Sequence, residues 1–183
     1  MKRKRANGKT GERGFTLIEA AVAIVVLTIG VTAVAALFVQ GFSLMGTSQD
    51  DLIARVKAQE AVESVFAGRD DQSLTWAQIR NVKGASGSDG GIFIDGPLPM
   101  NDPGTDGLVN TADDGGLEYI VLPGPDGVYG TADDQQVPLS KFTRQIQIRD
   151  ISSNLRSLTV TVTYNSNGLA RTYTITTYIS PFV

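Results

Sequence analysis

The chain contains neither histidine nor cysteine. A His/Cys zinc site, a cysteine or Ser-His-Asp nucleophile, a disulfide framework and a lipid-bearing N-terminal cysteine are therefore all excluded. Lack of cysteine suits any redox compartment and does not place the protein. Proline is missing until Pro97, and tryptophan occurs once, as Trp76. The acidic residues cluster in glycine-rich loops with no apolar surroundings to perturb them, so an enzyme is not expected. What remains is 183 residues, 42% of them hydrophobic, enough for one domain with a core.

Charge and apolar residues are unevenly arranged. The first 14 residues hold Lys2, Arg3, Lys4, Arg5, Lys9 and Arg13 against Glu12 alone. From Phe15 onward the balance is 10 basic to 18 acidic residues. A basic head before an apolar run is the pattern that holds a segment on the cytoplasmic side. A nucleic-acid-binding arm would need aromatic or further basic residues next, and apolar ones follow instead, so no nucleic acid is expected. Ala20 to Val39 is apolar except for Thr28, Gly30 and Thr32, and no charge occurs between Glu19 and Asp50. As a helix, 20 such residues reach ~30 Å, the thickness of a hydrocarbon core. The run is read as membrane-spanning, with the basic head inside and the chain beyond about Gly41 outside the cytoplasm.

A cleavable secretory signal is the alternative, since Ala33-Val34-Ala35 offers an A-x-A-like site. The run is longer than such signals use. Glu19 also stands four residues inside the hydrophobic block, where a carboxylate costs roughly 2.5–3.5 kcal/mol at mid-bilayer. A plain anchor has no use for that cost, and the segment holds no cation to offset it.

Gly14-Phe15-Thr16-Leu17-Ile18-Glu19, behind a basic leader and ahead of an unbroken apolar helix, resembles the type IV prepilin signature shared by pilins and the pseudopilins of type II secretion. The resemblance covers residues 1 to about 45. It implies cleavage between Gly14 and Phe15 by a prepilin peptidase, N-methylation of Phe15, and assembly through Glu19, whose carboxylate pairs with the new amine of a neighbouring subunit. It implies a pilin-like α+β fold, in which a long N-terminal helix, membrane-spanning in its first half, packs on a C-terminal antiparallel sheet. The expected divisions are a cleaved leader over 1–14, an assembly helix over 15–46 and a periplasmic head over 47–183. Ala20–Leu37, with Ile29-Gly30, is most similar to minor pilins and minor pseudopilins. The expected function is a minor structural subunit of a type IV pilus, with a minor pseudopilin as the alternative. Expected partners are the peptidase, other subunits and lipid of the bacterial inner membrane, crossed once before assembly.

In the head, Leu52, Ile53, Val56, Val62, Val65 and Phe66 recur at near-helical spacing, predicting a helix over 47–67 that stops at Gly68. Thr75 and Gln78 read as a capping box opening a short helix to about Val82, with Trp76 as a core anchor. Gly84–Gly91 reads as a loop. Phe142–Arg149, Ser157–Tyr164 and Arg171–Ile179 alternate as strands of a meander over 141–180, turning at Asn165–Gly168. Gly91–Asp95 and Leu117–Leu122 are further strand candidates.

Between them, in the 84–137 loop region, Asp106–Asp114 and Asp126–Asp134 match at an offset of 20 residues. Carboxylates crowded beside a glycine-permitted turn suit a hard cation, and the first copy is similar to thrombospondin type 3 and dockerin-like calcium loops. Candidate calcium ligands are Asp102, Asp106, Asn110, Asp113 and Asp114, with Asp126, Asp133 and Asp134 in the second copy, where Gly130 replaces the amide. The competing reading is a pair of solvated Asp-Gly turns.

Overall fold

The computed structural model describes residues 14–82 and 90–182. The leader before Gly14 and most of the predicted 84–91 loop lie outside the described residues. Two compact units divide at Leu44 and Met45, and one helix, α1 (Leu17–Asp70), runs through both.

In the first unit every described residue except Gly41 is exposed. The helix is long and apolar enough to cross a membrane. Its hydroxyls do not interrupt that character. Thr28 donates to the Ile24 carbonyl at 2.7 Å and Thr32 to that of Thr28 at 2.9 Å. Such back-bonding satisfies a polar group within the helix, which an apolar solvent requires.

In the second unit α1 buries a stripe of small side chains, Ala54, Ala58 and Ala61, followed by Val65 and Gly68. The alanines and Val65 join the buried core, with Ile53, Val62 and Phe66 packed against it as flanks. Leu52 and Val56, expected on the packed face, point outward at 61% and 43% exposure. The helix also passes Gly68 and ends at Asp70. A Cβ on Gly68 would lie 2.8 Å from Leu74 Cδ1, so this glycine admits the returning chain and does not stop the helix.

The sheet that covers this stripe has the order β1-β4-β5-β6, antiparallel throughout. Its strands are β1 (Leu98–Pro99), β4 (Phe142–Ser152), β5 (Leu155–Ser166) and β6 (Leu169–Ile179); β2 (Tyr119–Leu122) and β3 (Gln135–Pro138) form a separate pair. Phe142, Ile146, Ile148, Leu158, Val160, Val162 and Tyr164 alternate into the core, as strand periodicity dictates. On the opposite face Thr159, Thr161 and Thr163 meet Thr176, Thr174 and Thr172 in cross-strand hydroxyl pairs at 3.1–3.4 Å. The result is the α+β, pilin-like arrangement of one long helix on an antiparallel sheet.

Two local expectations differ. The Thr75–Gln78 contact forms, with the Gln78 side-chain oxygen 2.8 Å from the Thr75 nitrogen, but only a turn follows. The chain is drawn off because Asn81 bridges to Phe93, the one strand-like residue of Gly91–Asp95. Trp76 packs beside the core, gives its indole N–H to the Ser153 carbonyl at 3.0 Å and carries the Arg156 guanidinium 3.9 Å above its ring.

Asn81 explains how β4 keeps its outer edge satisfied where β1 is too short to pair with it. Its Nδ2 donates to the Ile146 carbonyl at 2.8 Å, and its Oδ1 accepts from the Ile148 N–H at 2.6 Å. The side-chain amide thus stands in for a missing strand. Asn81→Leu leaves those buried backbone groups unpaired, each at about 1–3 kcal/mol. A loss of about 3 kcal/mol is expected in thermal unfolding followed by circular dichroism, and an unchanged melting temperature would refute the role.

Candidate functional site

Two features carry the sequence-predicted residues: the start of α1 and the duplicated loop. Gly14, Phe15 and Thr16 precede the first helical turn, and Phe15 is 85% exposed. The Gly14–Phe15 bond therefore lies in non-helical, accessible backbone, and space around Gly14 is open. A peptidase needs both conditions.

Glu19 is the third residue of the helix, and Thr16 is its cap. The Glu19 Oε2 accepts from the Thr16 N–H at 3.0 Å and from the Thr16 hydroxyl at 2.9 Å, while the Glu19 N–H donates to Thr16 Oγ1 at 3.3 Å. This is a reciprocal capping box, which satisfies donors that a helix start leaves open and sets a negative charge at the positive end of the helix dipole. The carboxylate thus has a partner within the segment after all. Thr16 is the residue that charge counting missed, although the spacing Thr16-x-x-Glu19 was there to be read.

The duplicated loops are the same structure twice. In the first, the Leu108 N–H donates to Asp106 Oδ1 at 2.8 Å and the Asn110 N–H to Asp114 Oδ2 at 2.8 Å. In the second, Val128 donates to Asp126 at 2.9 Å and Gly130 to Asp134 at 2.6 Å. Thr111 and Thr131 donate their hydroxyls to Asp113 and Asp133 at 2.8 and 2.6 Å. Those hydroxyls, foremost among the causes, hold the Asp113 and Asp133 carboxyls below the usual carboxylate range. Asn110 and Gly130 have φ of 61° and 85°, which explains the substitution between the copies: the position requires a left-handed backbone.

Their surroundings differ. Leu108, Val109, Asn110 and Thr111 are buried, whereas Val128 and Tyr129 stand 55% and 66% exposed. Asn110 is fully enclosed and faces Arg144: Arg144 Nε donates to its Oδ1 at 2.7 Å, and its Nδ2 donates to the Arg144 carbonyl at 3.0 Å. Arg144 is 1% exposed. Burial draws its guanidinium below the usual range against the opposing fields of Glu118, Asp114 and Glu60, yet an arginine stays charged. Lys57 ties α1 to this region through Glu118 at 2.5 Å and pairs with Glu60 of its own helix at 2.6 Å. Its burial disfavours the ammonium, but those two hydrogen bonds prevail and raise it above the ordinary lysine range.

The eight candidate calcium ligands divide between these duties. Asp106, Asp114, Asp126 and Asp134 accept backbone N–H groups, Asp113 and Asp133 accept hydroxyls, and Asn110 holds Arg144. The main chain of Asp102 closes the first loop against Gly115 and Gly116 at 2.9 Å each. Among the described residues, no group of three or more acidic side chains converges as a metal would require.

A family model for the prokaryotic N-terminal methylation motif matches residues 9–35. No curated protein and no solved structure matches the chain. The chain carries the prepilin signature of type IV pilins and pseudopilins. Proteins with this signature are structural subunits that a prepilin peptidase processes and that assemble with other such subunits.

Proposed function

We propose that this chain is a minor structural subunit of a type IV pilus or a related filament, held in the inner membrane by residues 15–46 until assembly. Its N-terminus lies in the cytoplasm and its head in the periplasm. A peptidase cuts between Gly14 and Phe15 and methylates the Phe15 amine, and the chain has no catalytic activity of its own. A minor pseudopilin of a type II secretion system is the alternative, in which a short filament moves substrates outward.

The observation that carries this reading is the match of the methylation motif at residues 9–35, together with an exposed bond just before the capped helix start. Removing the leader places an ammonium on Phe15, beside the helix turn that presents Glu19. At low dielectric, attraction between the two ions offsets part of what each loses on leaving water.

Intact mass of the protein recovered from its native membrane tests the reading. The expected species begins at Phe15 and carries the mass of one added methyl group. A chain still beginning at Met1, or one cut beyond Ala35, would overturn it. Recovery of the subunit in sheared surface filaments would favour the pilus, and loss of exported substrates without surface filaments the secretion system.

A further inference from the structure

We propose that the second acidic loop, Asp126–Asp134, is a docking knob that seats Val128 and Tyr129 in an apolar hollow, rimmed by cations, on a different protein. The contact belongs to the second unit alone and goes beyond assembly through the N-terminal helix. The chain carries its own template for it. The two copies match over Pro103–Asp114 and Pro123–Asp134, where eight of twelve residues are identical. Each closes the same turn. The Gly107 N–H donates to the Gly104 carbonyl at 3.1 Å and the Gly127 N–H to that of Gly124 at 3.0 Å, with φ of 73° and 69° at the donors.

In the first copy this frame delivers two adjacent apolar side chains to a receptor. Leu108 and Val109 are buried as part of the core. Beside them the Asn110 carbonyl accepts from the Ile94 N–H at 2.7 Å, and the Asp114 carboxylate acts on the buried Arg144 guanidinium. What receives the loop is therefore apolar, with a cation set to meet its carboxylate. The second copy keeps the frame and the apolar pair, as Val128 and Tyr129, and both stand exposed. Holding the turn does not need these side chains. Asp126, Asp133 and Asp134 hold it by accepting from the Val128 N–H, the Thr131 hydroxyl and the Gly130 N–H. On the strands that carry the loop, Tyr119 and Val121 are also exposed, opposite Pro138 and Gln136, so that face of β2 and β3 holds no charge. Exposed apolar side chains gathered on one hairpin mark a protein contact, and tyrosine is a type that anchors one.

Charge decides the occupant. No lysine or arginine occurs between Lys83 and Lys141. Among the described residues, Asp126, Asp133 and Asp134 form no ion pair. A partner that brings cations to the rim is drawn in, and one that brings carboxylates is repelled. A second copy of this chain is of the repelled kind. Its cavity of about 680 Å³, walled by Leu74, Val82, Ile92 and Leu108, is edged by Asp106 and Asp113. The partner is thus another protein, with a basic rim.

The test introduces p-benzoylphenylalanine at Tyr129 of the full chain, expressed and irradiated in its native cells. Mass spectrometry then identifies both the captured protein and the captured residue. The expected product joins one protein other than this chain, at an apolar surface site flanked by lysine or arginine. In Asp133→Asn with Asp134→Asn the amide oxygens still accept from Thr131 and Gly130, but the charge is gone, and the yield should fall about five-fold. The same probe at Tyr178, 61% exposed on β6, should give several-fold less of that product. Capture of a second copy, of lipid alone or of nothing, by a chain whose intact mass begins at Phe15, would overturn the knob and leave assembly through the helix standing. An unchanged yield without the two charges, or an equal one at Tyr178, would overturn it too. The expected product from a chain still beginning at Met1 would support the knob and overturn the processing instead. Should the Tyr129 variant not accumulate, the probe at Tyr119 on β2 makes the same measurement.

Discussion

Replacing Glu19 with glutamine is expected to leave membrane insertion and cleavage intact and to reduce incorporation into filaments about ten- to a hundred-fold, the equivalent of the roughly 1.5–3 kcal/mol of a charged hydrogen bond. The substitution is chosen for what it preserves. A glutamine oxygen still accepts from the Thr16 N–H and hydroxyl, so the capping box at 2.9–3.0 Å survives. What disappears is the negative charge, and with it the attraction for the amine of Phe15. Glu19→Leu removes both the charge and the cap, at about 1 kcal/mol for the helix start, and relieves the cost of a carboxylate in lipid. Both variants should therefore insert at least as well as the parent. Their assembly, read as the fraction of mature protein in sheared filaments, should be equally poor. Filaments from Glu19→Gln at the parental level would show that Glu19 acts only as a cap, and the ion-pair role would have to be abandoned.

How much of this was legible beforehand depends on how local the cause is. The apolar run, the leader charge and the Gly14–Glu19 string are properties of adjacent residues, and they led directly to the prepilin signature. The three long strands were equally readable, since alternation from Phe142 to Ile179 fixes which face is buried. Reading failed where a distant element made the decision. Leu52 and Val56 look more suited to a core than Ala54 or Ala58, yet the stripe of the helix that is buried consists of the small side chains. Gly68 looks like a stop signal, yet the chain returning through Leu74 is what needs it. The Asp-Gly turns of the acidic repeat, offered only as the reading competing with calcium, do form. No local pattern could reveal that Asn110, an apparent ligand, is turned toward an arginine 34 positions away.

That pairing gives Asn110 a large weight in the second unit. Three contributions are superposed there: a left-handed backbone at φ 61°, two hydrogen bonds to Arg144, and the screening of a guanidinium that is only 1% exposed. Asn110→Ala forfeits all three. Losing a hydrogen bond to a charged group costs about 1.5–3 kcal/mol, although Arg144 keeps the Asn101 carbonyl at 3.3 Å. The left-handed conformation adds about 1 kcal/mol for alanine, which lacks the local hydrogen bonding that lets asparagine adopt it. A sizeable part of a typical domain stability of about 5–15 kcal/mol would go. Asn110→Gly restores the backbone freedom but not the bonds, so it should recover about 1 kcal/mol of that loss. The second loop supplies the control, because Gly130 has φ 85° and an exposed setting. Gly130→Ala should cost only the conformational share of about 1 kcal/mol, and Gly130→Asn nearly nothing. Denaturant unfolding of the full chain in detergent measures all four variants. Equal losses at 110 and 130 would mean that the shared turn, and not the buried Arg144, gives Asn110 its weight.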